Sequence, residues 1–148
     1  MNPTWVLGYT SGQEQGSYLA NDLGGTNVRI CYITLLGQGK HEMIQDKYCL
    51  PQELKTGTAS ELWDTIASDL DTFISENNLG GTSETPLPLA FTFSYPATQH
   101  YIDHGILQRW TKGFDIDGCE GNDMVEQLSD ALAKRVRGRV SDVVRYHY

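Results

Sequence analysis

Leu19-Ala-Asn-Asp-Leu-Gly-Gly-Thr-Asn-Val-Arg-Ile30 is the stretch on which the fold turns. An apolar approach ends in the carboxylate of Asp22, Gly24 and Gly25 permit a tight turn, and Thr26, Asn27 and Arg29 follow. Glycine lets a backbone come close to a phosphate and take positive φ where other residues cannot. Successive N–H groups in such a turn can form an anion-binding concavity, and Asp22 is placed to meet a metal ion or its water. Beyond the turn, Val28, Ile30 and Tyr32 alternate with Arg29, Cys31 and Ile33, as a second strand would. Strand, turn, strand differs from a Walker loop or a dinucleotide fingerprint, both of which feed a helix. A Gly-Gly pair also makes an ordinary hairpin, so the motif alone leaves a phosphate site and a plain turn both open.

The remainder of the chain narrows the choice. Its 148 residues suit one domain, and at 39% apolar and 10% aromatic it has material for a core. No apolar run approaches the ~20 residues that span a bilayer, and Met-Asn-Pro-Thr-Trp5 lacks the basic and apolar regions of a signal peptide. Cys31, Cys49 and Cys119 cannot all pair within the chain and fit no zinc spacing. A cytoplasmic protein in a reducing compartment is expected. Residues 1–133 carry 18 acidic and 6 basic side chains, whereas 134–148 carry Lys134, Arg135, Arg137, Arg139 and Arg145 against Asp142 alone. The acidic body argues against nucleic acid and anionic membranes as partners, and a polyanionic ligand would need local cations or a divalent metal. The basic end reads as a solvated terminus, with a nucleic-acid or localisation patch as the alternative.

The element order is α/β. Residues 17–23 and 28–36 read as paired strands and 42–50 as a third. Thr58-Ala-Ser-Glu61 resembles a capping box, after which Leu62, Trp63, Ile66, Leu70, Phe73 and Ile74 recur at helical spacing. Asn77-Asn78-Leu79-Gly80-Gly81 stops that helix. Residues 87–95 form a nearly continuous apolar run ending at Pro96, the pattern of a buried central strand. A second helix over 123–134 presents Val125, Leu128 and Leu132 on one face. This is the order of a mixed-sheet α/β protein.

Leu89-Ala-Phe-Thr-Phe-Ser-Tyr-Pro-Ala-Thr-Gln99 closely resembles the hexokinase sugar-binding signature, and Trp110-Thr-Lys-Gly-Phe114 resembles that family's next sugar-contacting segment. With Asp22-Leu-Gly-Gly-Thr-Asn27 upstream, three motifs fall in the family's order. The resemblance covers residues 4–134, and 107–118 is most like fungal members. It implies the small lobe of a hexokinase, with the actin-like ATPase (ribonuclease H-like) fold: a mixed five-strand-type sheet flanked by helices, incomplete at its C-terminal end. Residues 1–134 would be this lobe and 135–148 a divergent basic tail.

The resemblance implies ATP-dependent phosphorylation of a hexose (glucose, fructose or mannose) at its 6-hydroxyl, with ATP and Mg2+ as cofactors. Asp22 would hold magnesium through water, while Gly24, Gly25, Thr26 and Asn27 would face the transferring phosphoryl group. Arg29 would belong to the same phosphate site or brace it. Ser94 would lie at the sugar pocket, and Thr111 and Lys112 would hydrogen-bond sugar hydroxyls, Lys112 assisting catalysis. Such a role suits a lysine, whose cation stabilises charge developing on a reacting oxygen.

Three features depart from this picture. Asn21 stands where the family has an apolar residue. In the family the second helix leads into a strand ending in Asn-Asp-Thr, whose aspartate is the catalytic base; Asp142 lies near that place without the motif, so the role is not carried onto it. The large lobe is absent too, which implies a truncated chain with little or no activity. Its uncovered apolar surface is expected to drive self-association or loose packing. The alternative function is a non-catalytic sugar-binding or interaction fragment. His100 and His104 read as a solvated pair, and Asp115, Asp117 and Glu126 fail as an EF-hand because Glu120 occupies the glycine position.

Overall fold

A computed structural model describes residues 9–82, 84–136 and 138–143, with backbone alone over 141–143. Alternation of apolar and polar residues produces the antiparallel hairpin of β1 (Gln15–Leu23) and β2 (Asn27–Gly37), which β3 (Lys40–Cys49) extends. A short 3-10 turn at Glu53–Thr56 leads to α1 (Ala59–Glu76). Then come β4 (Leu87–Phe93), a two-stranded ribbon of β5 (Ala97–Thr98) and β6 (Ile106–Leu107), α2 (Met124–Arg135) and β7 (Val140–Val143). The main sheet has the order β3-β2-β1-β4-β7, with β4 parallel to both β1 and β7.

Both helix starts are capped by side chains. Thr58 and Glu61 form a reciprocal capping box on α1, and the Asp123 carboxylate accepts from the Val125 N–H on α2. Asn78 ends α1 with a φ of +51°, where the Leu79 N–H donates to the Ile74 carbonyl at 2.9 Å. One core joins Leu19, Leu23, Val28, Ile30 and Leu89 of the sheet to Leu62, Ile66, Leu70, Phe73 and Ile74 of α1 and Met124, Leu128 and Leu132 of α2. Trp63 ties the helices by donating its indole N–H to Gln127 Oε1 at 2.7 Å.

The opposite face of the sheet carries Ala20, Asp22, Arg29, Cys31, Ala90 and Thr92, all at least partly exposed. This corrects the expectation of a fully buried central strand: β4 lies inside the sheet, but only one of its faces is covered among the described residues. It also ends at Phe93 and not at Tyr95.

The basic segment keeps Lys134 and Arg135 exposed, as a solvated end would, but beyond them its described part is docked on the fold. The change of charge at Lys134 falls in the last turn of α2, where cations complement the helix dipole. Val136 is buried, Arg139 pairs with Asp71 of α1, and its carbonyl accepts from the Leu87 N–H at 3.0 Å. Arg137, Arg145 and the side chain of Asp142 lie outside the described residues.

Asn21 sits on the core side of β1, 1% exposed, and its amide finds no hydrogen-bond partner among the described residues. A buried unsatisfied amide costs ~1–3 kcal/mol. Asn21→Leu, which keeps the branch at Cγ, is expected to raise the calorimetric melting midpoint by several degrees, at ~2–4 °C per kcal/mol for a chain of this size. A lowered midpoint would contradict the unsatisfied amide.

Burial on α1 also pushes the Asp69 carboxyl up to about 6. The unfolded chain ionises this group near pH ~4 while the folded chain still holds its proton. Its contribution to stability is therefore full below about pH 4 and is lost as pH rises to about 6. Asp69→Asn is expected to flatten the denaturant midpoint across this window relative to the parent. An unchanged slope would contradict the assignment.

Candidate functional site

The β1–β2 loop is Gly24, Gly25 and Thr26, closed by the Gly24 N–H donating to the Asn27 carbonyl at 3.0 Å. The Thr26 carbonyl accepts from the Leu50 N–H at 3.0 Å, pinning the loop to the end of β3. Strand register sets Asp22 opposite Arg29 on β2 and Thr92 on β4. An Arg29 guanidinium nitrogen lies 3.9 Å from the Asp22 carboxylate, with both side chains substantially exposed, so the pair is worth at most ~1 kcal/mol. A solvated carboxylate on a rigid strand is a chemically suitable outer ligand for a hard cation that keeps its waters.

Neither Gly24 nor Gly25 takes positive φ. The turn therefore does not have the alternating-handed backbone of an anion nest, which corrects the conformational reason expected for these glycines. Gly25 answers to a different constraint, since a Cβ there would stand 3.1 Å from Cδ and 3.2 Å from Cβ of Lys112. The two motifs, far apart in sequence, meet at that contact.

Lys112 has a φ of +58°, a left-handed conformation that costs a side-chain-bearing residue ~1–2 kcal/mol. Its Nζ donates to the Ser94 carbonyl at 2.7 Å and lies 4.8 Å from the centre of the Tyr95 ring. Tyr95 packs edge-on against Trp110 and Phe114 and tilted against Phe93. Its hydroxyl donates to the Gly24 carbonyl at 2.9 Å. Burial pushes this phenol well above the usual tyrosine range, so it stays a protonated donor.

Trp110 fixes the segment that carries Thr111 and Lys112. Its backbone N–H donates to Glu120 Oε1 at 2.6 Å and its indole to the Ile116 carbonyl at 3.1 Å. The Thr111 carbonyl accepts from the Phe114 N–H, closing the turn that displays Lys112. Ser94 is exposed just past the end of β4. Gly24, Gly25, Ser94 and Lys112 are thus linked directly or through Tyr95, and Asp22 stands beside them on the strand that enters the turn. Asn27 and Arg29 follow on the same hairpin.

Tyr95 is the member that sequence reasoning missed. A hydroxyl-bearing ring between a strand end and Pro96 is the signal that was available. The histidines also differ from expectation. His104 is not solvated: its side chain is 12% exposed, its Nε2 lies 3.9 Å from Asp123, and its Nδ1 accepts from the His100 N–H at 3.3 Å. No group of three metal-ligating side chains assembles among the described residues, at the histidines or around Asp115 and Asp117. Among these residues no helix is long and apolar enough to cross a membrane.

The fold is the α/β lobe found in hexokinases. The chain superposes on a hexokinase from Schistosoma mansoni complexed with glucose with a TM-score of 0.88 and 39% identity, over 97% of this chain and 32% of that one. A family model described as hexokinase matches residues 1–145, and the chain belongs to the hexokinase family. It is 55% identical over 136 residues to the hexokinase of Emericella nidulans, covering 91% of this chain and 28% of that protein. It is 52% identical over 134 residues to hexokinase-2 of Candida albicans, covering 90% and 28%. The chain thus spans 28% of the length of these curated relatives.

Proposed function

We propose that this chain supplies the small-lobe half of a hexokinase site, and that the whole protein transfers the terminal phosphoryl group of ATP to the 6-hydroxyl of a hexose such as glucose. The observation that carries this reading is the junction at Lys112, where the carboxylate-bearing hairpin and the Ser94 segment come into contact.

The donor set fits a magnesium nucleotide: Mg2+ is commonly held by one or two carboxylates together with waters and phosphate oxygens. Asp22 would hold the ion through water, and bound magnesium would neutralise charge on the phosphates. Gly24, Gly25, Thr26 and Asn27 would line the phosphoryl region, with Arg29 bracing Asp22. Ser94, Thr111 and Lys112 would take the sugar. The Lys112 ammonium has three donors and the Ser94 carbonyl takes one, which leaves two for sugar hydroxyls. Action in the cytoplasm accords with three free cysteines.

No residue here is assigned the base, worth ~10²–10⁴-fold, and cleft closure of the kind worth ~7–11 kcal/mol needs a second lobe. With glucose and MgATP in a coupled assay, the 148-residue chain is expected to show no turnover while still binding glucose saturably. Ordinary turnover would contradict the division of the site between lobes; absence of saturable glucose binding would contradict the sugar assignment.

A further inference from the structure

We infer that Tyr95 is a positioning residue that fixes the phosphate hairpin relative to the sugar segment, a role that rests on the proposed hexokinase reading. Five residues converge on this side chain. Its hydroxyl donates to the Gly24 carbonyl at 2.9 Å, reaching 71 positions back along the chain. Its ring face carries the Lys112 ammonium at 4.8 Å. The other surfaces of the ring are held by Phe93, Trp110 and Phe114, so the hydroxyl is aimed by rigid packing.

The tie closes a loop of contacts. Gly24 is followed by Gly25, Gly25 lies against the Lys112 stem, Lys112 bonds the Ser94 carbonyl, and Ser94 precedes Tyr95. A displacement of Lys112 toward a sugar changes the load on the Tyr95 ring and, through its hydroxyl, on the Gly24 carbonyl. The hairpin that would meet nucleotide phosphates and the lysine that would meet the sugar thus share one buried pivot. Such a pivot makes occupancy of one half felt at the other, and that coupling is reciprocal.

Tyr95→Phe tests this, because it keeps the ring, its packing and the lysine contact while deleting the bond. In the full chain, amide exchange of Gly24, whose N–H closes the turn, and of Leu50, whose N–H bonds the turn's Thr26 carbonyl, is expected to quicken about fivefold, the equivalent of one neutral hydrogen bond. The amides of Leu128 and Leu132 in α2 should not change. The parent should also bind MgADP with an affinity that depends on glucose, and Tyr95→Phe should bring that ratio toward one. Unchanged exchange at Gly24 and Leu50, a uniform rise that includes α2, or a retained glucose dependence would each overturn the inference. The exchange arm needs no ligand. Failure of the parent to bind either ligand therefore strikes the hexokinase reading, while the exchange pattern still decides whether Tyr95 holds the turn.

Discussion

Tyr95→Ala is expected to lower the unfolding free energy by about 3–5 kcal/mol, the cost of emptying an aromatic site in a packed core. The ring is 7% exposed and lies among Phe93, Trp110 and Phe114, whose contacts with it would be lost. A domain has only ~5–15 kcal/mol in all, so a large share would be lost at one position. Urea unfolding followed by tryptophan fluorescence measures it, with Trp110 beside the vacated ring as reporter. A loss below ~1 kcal/mol would mean that the aromatic group is loosely packed and cannot aim the hydroxyl.

Gly25→Val is expected to weaken glucose binding about 10–100-fold with little loss of stability, the range for losing a hydrogen bond made by a charged group. The new side chain would meet the Lys112 stem, whose own Cβ would be only 3.2 Å from the added Cβ. Lys112 would therefore be pushed off the Ser94 carbonyl. Because Gly25 has no positive φ, no backbone strain confuses the result. Gly24→Ala is the control, since its added methyl meets only the Asn27 carbonyl at an ordinary 3.4 Å and should cost far less. In a Lys112→Ala background, Gly25→Val should add little, the non-additivity expected of two residues acting through one contact. Calorimetric titration with glucose reads all four variants. Full affinity in Gly25→Val would show that Lys112 is not a sugar contact or is not displaced.

The parts of this site that were legible in sequence depend on neighbours close in the chain. Period-two alternation is enough to read β1 and β2 as paired strands, while the register that sets Asp22 opposite Arg29 comes from the turn. The Thr58–Glu61 box declares the start of α1 because both its bonds span three residues. The three ordered motifs placed the chain in its family before any coordinate was needed. What was hidden depends on distant partners. An apolar run through Tyr95 reads as strand, and the ring before Pro96 hints at a special role without naming Gly24 as the partner of its hydroxyl. Gly25 looks like a residue chosen for its dihedral angles, whereas its constraint is a lysine from another loop. His104 looks solvated until Asp123, the cap of α2, is seen beside it. The strand β7 was obscured by the charges of the segment that carries it, although Val140 and Val143 pair with β4.

The measurement that bears most directly on the central claim is a pair of amide-resolved titrations of the chain, one with glucose and one with MgADP. If the two halves of a hexokinase site meet at Lys112, glucose shifts Ser94, Thr111 and Lys112 saturably, and MgADP shifts the amides of residues 22–27. Each ligand also moves the reporters of the other through Tyr95. Saturable shifts confined to a different surface, such as the His100–His104 turn, or no saturable shift with either ligand, would contradict the account.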